Sequence, residues 1–184
     1  MKDRGIPVYL ILFLCLSFLN FFSISSKLFA HESIATSECE LKTAYVYQFT
    51  KYVNWPKVKK NKKELIIGII ASEDMIQALS RLNGKLSQGM KIVIRPITKD
   101  SSLSDIDILY LEKGYLTDNL VILQAIKNHI LTISDEKDAI TKGVIIELFR
   151  ANSRLRFNIN LKMADKSSLK LSCKLLSLAD SLVK

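Results

Sequence analysis

The chain has 184 residues, 27 basic against 18 acidic side chains for a formal net charge of +9, and 48% hydrophobic residues. That is enough for one domain with a proper core and too little for two. Two histidines and six scattered glycines leave no metal set, no catalytic triad and no phosphate cradle or dinucleotide fingerprint to assemble.

Lys2 and Arg4 form a short basic start, Ile6 to Phe22 is almost wholly apolar, and the small and polar residues of SISSKLFAHES follow. This is the layout of a secretory signal peptide over residues 1–30. The apolar run exceeds the usual ~7–15 residues, so an uncleaved anchor stays open beside cleavage after Ala30 or near Ser25. Residues 31–184 then read as one exported domain. Its positive charge suits anionic lipid headgroups, acidic proteins or envelope polymers, and nucleic acid is not an expected partner outside the cytoplasm. Cys39 and Cys173 are the cysteines of that domain, an even count that permits one disulfide and leaves the pairing open.

The stretch LKTAYVYQFTKYVNWP (41–56) holds five aromatic rings, including the only tryptophan. Leu41, Tyr45, Phe49 and Tyr52 share one broad face of a helical wheel with Val53, with Ala44 and Val46 at its margins, so these are the expected core of a first helix. Ser37 and Glu40 have the spacing of an N-cap and its partner, and Pro56 ends the helix by restricting Trp55. Tyr47 lies off the apolar face and Trp55 lies past the helix end. Rings so placed are suited to protein contacts, so both are candidate partner-binding residues. The basic link KVKKNKK (57–63) reads as a solvated loop.

ELIIGIIAS (64–72) is a strand covered on both sides. EDMIQALSRLNG is a helix stopped by Gly84, MKIVIRPI (90–97) a second strand, and IDILYL (106–111) a third after a polar link. DNLVILQAIKNH (118–129) is a helix, ILTISD (130–135) a fourth strand, and GVIIELFR (143–150) a fifth. SRLRFNINL (153–161) alternates Leu155, Phe157, Ile159 and Leu161 on one side and forms a hairpin with the strand before it. A last helix is expected over about 165–183. Strands alternating with helices predict an α/β three-layer sandwich, its sheet mostly parallel with a late antiparallel hairpin.

The polar and titratable side chains along these elements read mainly as structural. His129 ends a helix, where it complements the dipole. Asp105 and Asp107 point to one side at the head of a strand and end a loop. Ser134 and Asp135 stand at a strand's C-terminal end, where they cap the next helix or face a ligand. Asn158 and Asn160 occupy one face of a strand that asparagine disfavours, which points to loop hydrogen bonds or to partner binding. No catalytic residue, metal ligand or cofactor is expected.

Taken in order, LKTAYVYQFTKYVNWP, IDILYL, ILTISD, KGVIIEL, RFNINL and LKLSCKLLSLA resemble the corresponding segments of the YfiR family over nearly the whole exported domain. The resemblance implies a periplasmic regulator rather than an enzyme. Such a protein binds the periplasmic sensor domain of an inner-membrane diguanylate cyclase, holds it inactive and so lowers cyclic-di-GMP and biofilm formation. It also implies homodimers with internal disulfides. Ile106 stands where many relatives carry a strand cysteine, so their bridge at that strand cannot form here, and Lys142 replaces the first glycine of a Gly-Gly pair. The competing expectation is a periplasmic small-solute binder, since parallel α/β sheets host ligands at strand ends.

Overall fold

The aromatic opening stretch is a helix, α1 (38–52), that runs into a two-residue strand, β1 (Val53–Asn54), before Pro56. The computed structural model describes residues 38–56, 62–117 and 119–184; the expected signal peptide, the Ser37 cap and residues 57–61 of the basic link lie outside them. Of two compact units, Met1–Glu38 and Cys39–Lys184, the second carries the fold. After β1 come β2 (Glu64–Ile70), α2 (Glu73–Ser80), β3 (Leu86–Ser87), β4 (Met90–Pro96), β5 (Ile108–Leu111), α3 (Leu120–Lys127) and β6 (Leu131–Ser134). Then follow β7 (Ile146–Ala151), β8 (Arg154–Asn160), α4 (Leu161–Lys166), β9 (Lys170–Leu171), α5 (Cys173–Leu178) and β10 (Ser181–Val183).

Eight strands form one sheet in the order β10-β8-β7-β6-β5-β2-β4-β3, parallel through β4, β2, β5, β6 and β7. The expected late hairpin is β7–β8, closed by Asn152 and Ser153, both at positive φ. Two left-handed residues make the turn whose twist matches that of the strands it joins. The all-apolar β2 is buried on both faces because the sheet is covered twice. Leu65, Ile67 and Ile69 meet residues of α1 and α2 in one core layer, while Ile66 and Ile70 meet Val121, Ile122 and Ala125 of α3 in the other.

The β4–β5 connection breaks the alternation. Residues 97–107 hold no helix and cross the second face as irregular chain, with Leu103 and Ile106 buried on it. Gly68 permits this: a Cβ there would stand 3.0 Å from Ile97 Cδ1 and 3.2 Å from Ile106 Cδ1. The absent side chain lets the backbone segment lie directly on the strand.

The expected final helix over 165–183 is instead four pieces. Ser168, at φ 55, ends α4 in a Schellman turn, with Leu169 N–H donating to Ala164 O at 2.9 Å and Ser168 N–H to Asp165 O at 2.8 Å. Ser172 then caps α5, its Oγ accepting from Leu175 N–H at 3.2 Å. Serines compete for backbone groups and favour such ends over helix interiors. Between the two helices β9 pairs antiparallel with β1, Val53 opposite Leu171. Beyond them β10 lies parallel beside β8.

Candidate partner-binding face

Helix α1 crosses the sheet from the C-terminal ends of the parallel strands to their N-terminal ends, and its polar side chains pin both extremes. At one end Lys42 Nζ meets Asp135 Oδ2 at 2.6 Å, the two side chains only 10% and 8% exposed. At the other, Trp55 Nε1 donates to Asp107 O at 3.1 Å. Between them Thr50 Oγ donates to Tyr47 O and sits 2.7 Å from Ser87 Oγ. These partners turn the helix by about one residue from the wheel drawn on apolarity alone. Val46 and Phe49 point straight in, with Lys42, Thr43 and Thr50 beside them.

That rotation corrects the expected helix core. Leu41 is 40% exposed, because its neighbour Lys42 takes the inward position for the sake of its carboxylate. Phe49 is fully buried, and Tyr45 and Tyr52 are half-buried against the same core. Tyr45 and Phe49 both meet Phe157 edge-on, at centroid distances of 6.1 and 5.1 Å, and Tyr45 Oη donates to Leu155 O at 2.8 Å.

Three of the four residues expected at a partner contact are structural. Trp55 is 8% exposed and belongs to the core; the backbone turns into β1 after the helix and carries the indole under the sheet. Asn160 is buried, accepts from Met163 N–H at 3.0 Å as the cap of α4, and donates to Ile140 O at 3.1 Å. Asn158, half-buried, accepts from Ser181 Oγ at 2.7 Å and so ties β10 to β8.

Tyr47 remains at the surface. It is half-buried, its hydroxyl donates to Leu86 O at 3.1 Å, and Lys51 Nζ lies 4.1 Å and Lys85 Nζ 5.6 Å from the ring centroid. Beside it Leu86, on the edge strand β3, is 66% exposed. The β3–β4 turn, Gln88–Gly89, has both residues at positive φ, and Gln88 Nε2 donates to Thr50 O and Val53 O at 2.7 and 2.8 Å. The hairpin is thereby fastened to α1, so Tyr47, Leu86 and the two lysines form one rigid patch. Leu86 and Lys85 escape the sequence reading because a two-residue strand has too little periodicity to register. The Gln-Gly pair was the available signal.

The Cys39–Cys173 bond that the even cysteine count permits is not present in the structure. Cys39 opens α1, whereas Cys173 follows Ser172, whose N–H donates to Tyr52 O at the far end of the same helix. Thirteen helical residues separate the two positions, about 20 Å at the usual rise, against the ~7 Å between Cα atoms that a disulfide allows.

The other carboxylates and the histidine singled out from the sequence are held in structural bonds. Asp107 accepts from Ile66 N–H and from Lys62 Nζ, each at 2.9 Å. Asp105 accepts from Arg95 at 2.5 Å, which holds its carboxyl below the usual 3.8. Ser134 Oγ accepts from Glu136 N–H at 3.1 Å and Asp135 Oδ1 from Lys113 N–H at 2.7 Å, so this pair orders a turn and anchors α1. His129, at φ 56, occupies the left-handed position of a second Schellman turn, with Nδ1 3.0 Å from Ser167 O. Tyr110 is fully buried; burial first, then the charges of Asp135 and Glu112, push its ionisation upward. Among the described residues no group of three or more His, Cys, Asp or Glu side chains could hold a metal ion, and no helix is long and apolar enough to cross a membrane.

No curated protein matches this sequence. The crystal structure of a conserved domain protein from Vibrio cholerae O1 biovar El Tor strain N16961 is similar in fold, with a TM-score of 0.54 at 13% identity over 76% of this chain. This chain covers 59% of that one. The YfiR/HmsC-like family (DUF4154) matches residues 39–180, from the first turn of α1 to the approach of β10. By that match, the chain belongs to the YfiR/HmsC-like family.

Proposed function

We propose that this protein is a periplasmic regulator, not an enzyme, that grips the sensor domain of a membrane-anchored diguanylate cyclase and holds it inactive. Membership of the YfiR/HmsC-like family supports the class of partner. The observation that carries a gripping role is the patch on α1 and β3, where a 66% exposed leucine stands beside a tyrosine fixed by one hydrogen bond and two lysines. An exposed aliphatic anchor with a rigid aromatic and cationic surround suits an acidic, apolar-tipped partner segment. Release of the grip raises cyclic-di-GMP.

The test is a pull-down from detergent-solubilised membranes with the purified protein as bait, comparing wild type with a Tyr47→Ala/Leu86→Glu double variant. Recovery of a diguanylate cyclase, reduced at least about tenfold by the double variant, is expected for a contact that contributes ~1.4 kcal/mol or more. Recovery of a transport permease in its place, or undiminished capture by the variant, refutes the reading. Light scattering on the same preparation decides whether the bait is a homodimer.

A further inference from the structure

A cleft of about 640 Å³ opens on the second face of the sheet. Its floor is Ile70 and Leu111, the last residues of β2 and β5, which stand opposite each other in register. Those two strands flank the point where the chain order reverses: from β2 the chain goes outward to β4, then returns past β2 to β5. Open α/β sheets place ligands at this reversal, outside the carboxyl ends of the strands. The cleft exists because 97–107 crosses as irregular chain where a helix would fill the layer. Ser101, Leu103 and Ser104 of that segment form one wall, and Val121 and Gln124 of α3 with its C-cap Asn128 the other. Lys99 Nζ donates to Thr117 Oγ at 2.6 Å and bridges the two loops.

The lining defines the ligand. In a chain of net charge +9, the cleft holds one cation and one anion, the adjacent Lys99 and Asp100, so it carries no net charge. An anion is therefore not what it selects. Hydroxyl and amide side chains dominate the polar lining, and these both donate and accept hydrogen bonds, as sugar hydroxyls do. At the rim Tyr115 is 38% exposed and Leu120 67% exposed, an aromatic and an aliphatic surface left in solvent beside a polar wall. A ring in that position stacks on the apolar face of a pyranose. The volume lies within the range of small-molecule sites.

We propose that this cleft binds a small neutral sugar, a mono- or disaccharide, stacked on Tyr115 and hydrogen-bonded by Gln124 and the serine wall. The site is separate from the patch around Tyr47 and Leu86, so the proposal stands or falls independently of the cyclase reading.

Saturation-transfer NMR on the purified protein tests it, with glucose, N-acetylglucosamine and their β-1,4-linked dimers as probes, and with glutamate and inorganic phosphate as anionic comparisons. At least one sugar shows saturation transfer at concentrations up to about 10 mM, in the weak-binding regime. Tyr115→Ala and Gln124→Ala each weaken it, Tyr115→Ala about fivefold for the loss of one stacked ring. Both side chains are exposed, so both variants keep the wild-type circular dichroism spectrum. Silence from every sugar, binding of the anions alone, or sugar binding that neither variant alters overturns the assignment. Membrane capture by the Tyr115→Ala variant, scored in parallel, keeps this outcome distinct from failure of the regulatory reading.

Discussion

The pair formed by Lys42 and Asp135 offers the sharpest test of how α1 is held. Removing Asp135 leaves a lysine ammonium in a site where its side chain is 10% exposed, and deprives Lys113 N–H of its acceptor at 2.7 Å. At an effective dielectric of about 20, unit charges separated by the observed 2.6 Å attract by about 6 kcal/mol. Burying two ions costs several kcal/mol each, so the intact pair contributes little net stability. Breaking it is different, because Lys42 keeps its desolvation cost and loses the attraction of Asp135. Asp135→Ala is therefore expected to destabilise the protein by about 3–5 kcal/mol, a large part of the ~5–15 kcal/mol typical of a domain. In urea, with a slope near 2 kcal/mol per molar, the midpoint falls by about 2 M. The double variant Lys42→Met/Asp135→Asn removes both charges, keeps an acceptor for Lys113, and recovers about 2 kcal/mol relative to the sum of Lys42→Met and Asp135→Asn measured singly. If Asp135→Ala costs less than about 1 kcal/mol, or the two sites prove additive, the ion pair is not the anchor of α1.

Trp55→Phe shrinks a core side chain, yet Asp107 O keeps its bond from Leu131 N–H, so a loss of about 1–2 kcal/mol by thermal melting is expected; an unchanged melting temperature would place the indole at the surface. Asn160→Ala removes the α4 cap and the bond to Ile140 O together and costs about 2 kcal/mol, whereas Asn160→Asp keeps the cap and loses less; equal losses from the two would rule out the capping role. Asp105, held low by Arg95, is expected to titrate below 3.8 when followed by carbon-detected NMR, and Arg95→Gln is expected to return it toward that value. Its depressed value means that the small stability it contributes is complete above pH 3.8 and disappears as pH falls through the lowered value; a titration unmoved by Arg95→Gln contradicts that cause.

The strands with unbroken apolar runs were legible because burial on both faces leaves a signature that needs no partner to read. β2, β5 and β6 all fall inside the stretches that their composition marks. The helix rotation was not legible, since Lys42 and Thr50 look like surface residues until Asp135 and Ser87 arrive from 93 and 37 positions away. The C-terminal segment misled for a related reason. Leu169, Leu176, Ala179 and Val183 suggest a helical face, but Ser168 and Ser172 end and begin helices by hydrogen bonds that a wheel does not represent. Of the expected contact residues, Trp55 and Asn160 are buried while Tyr47 and Asn158 stay half-buried, and Tyr47's neighbours Lys85 and Leu86 lie just before and within a strand too short to detect.

The ribbon that joins Val53 to Leu171 has a bearing on how the molecule is made. The exit of the first helix is completed by a segment that the ribosome synthesises more than a hundred residues later. Until then α1 has its apolar side but not its tether. A nascent chain therefore stays incompletely closed until Leu171 has been made and can pair with Val53, and truncation at Lys170 would strand the amino-terminal helix as surely as a mutation within it.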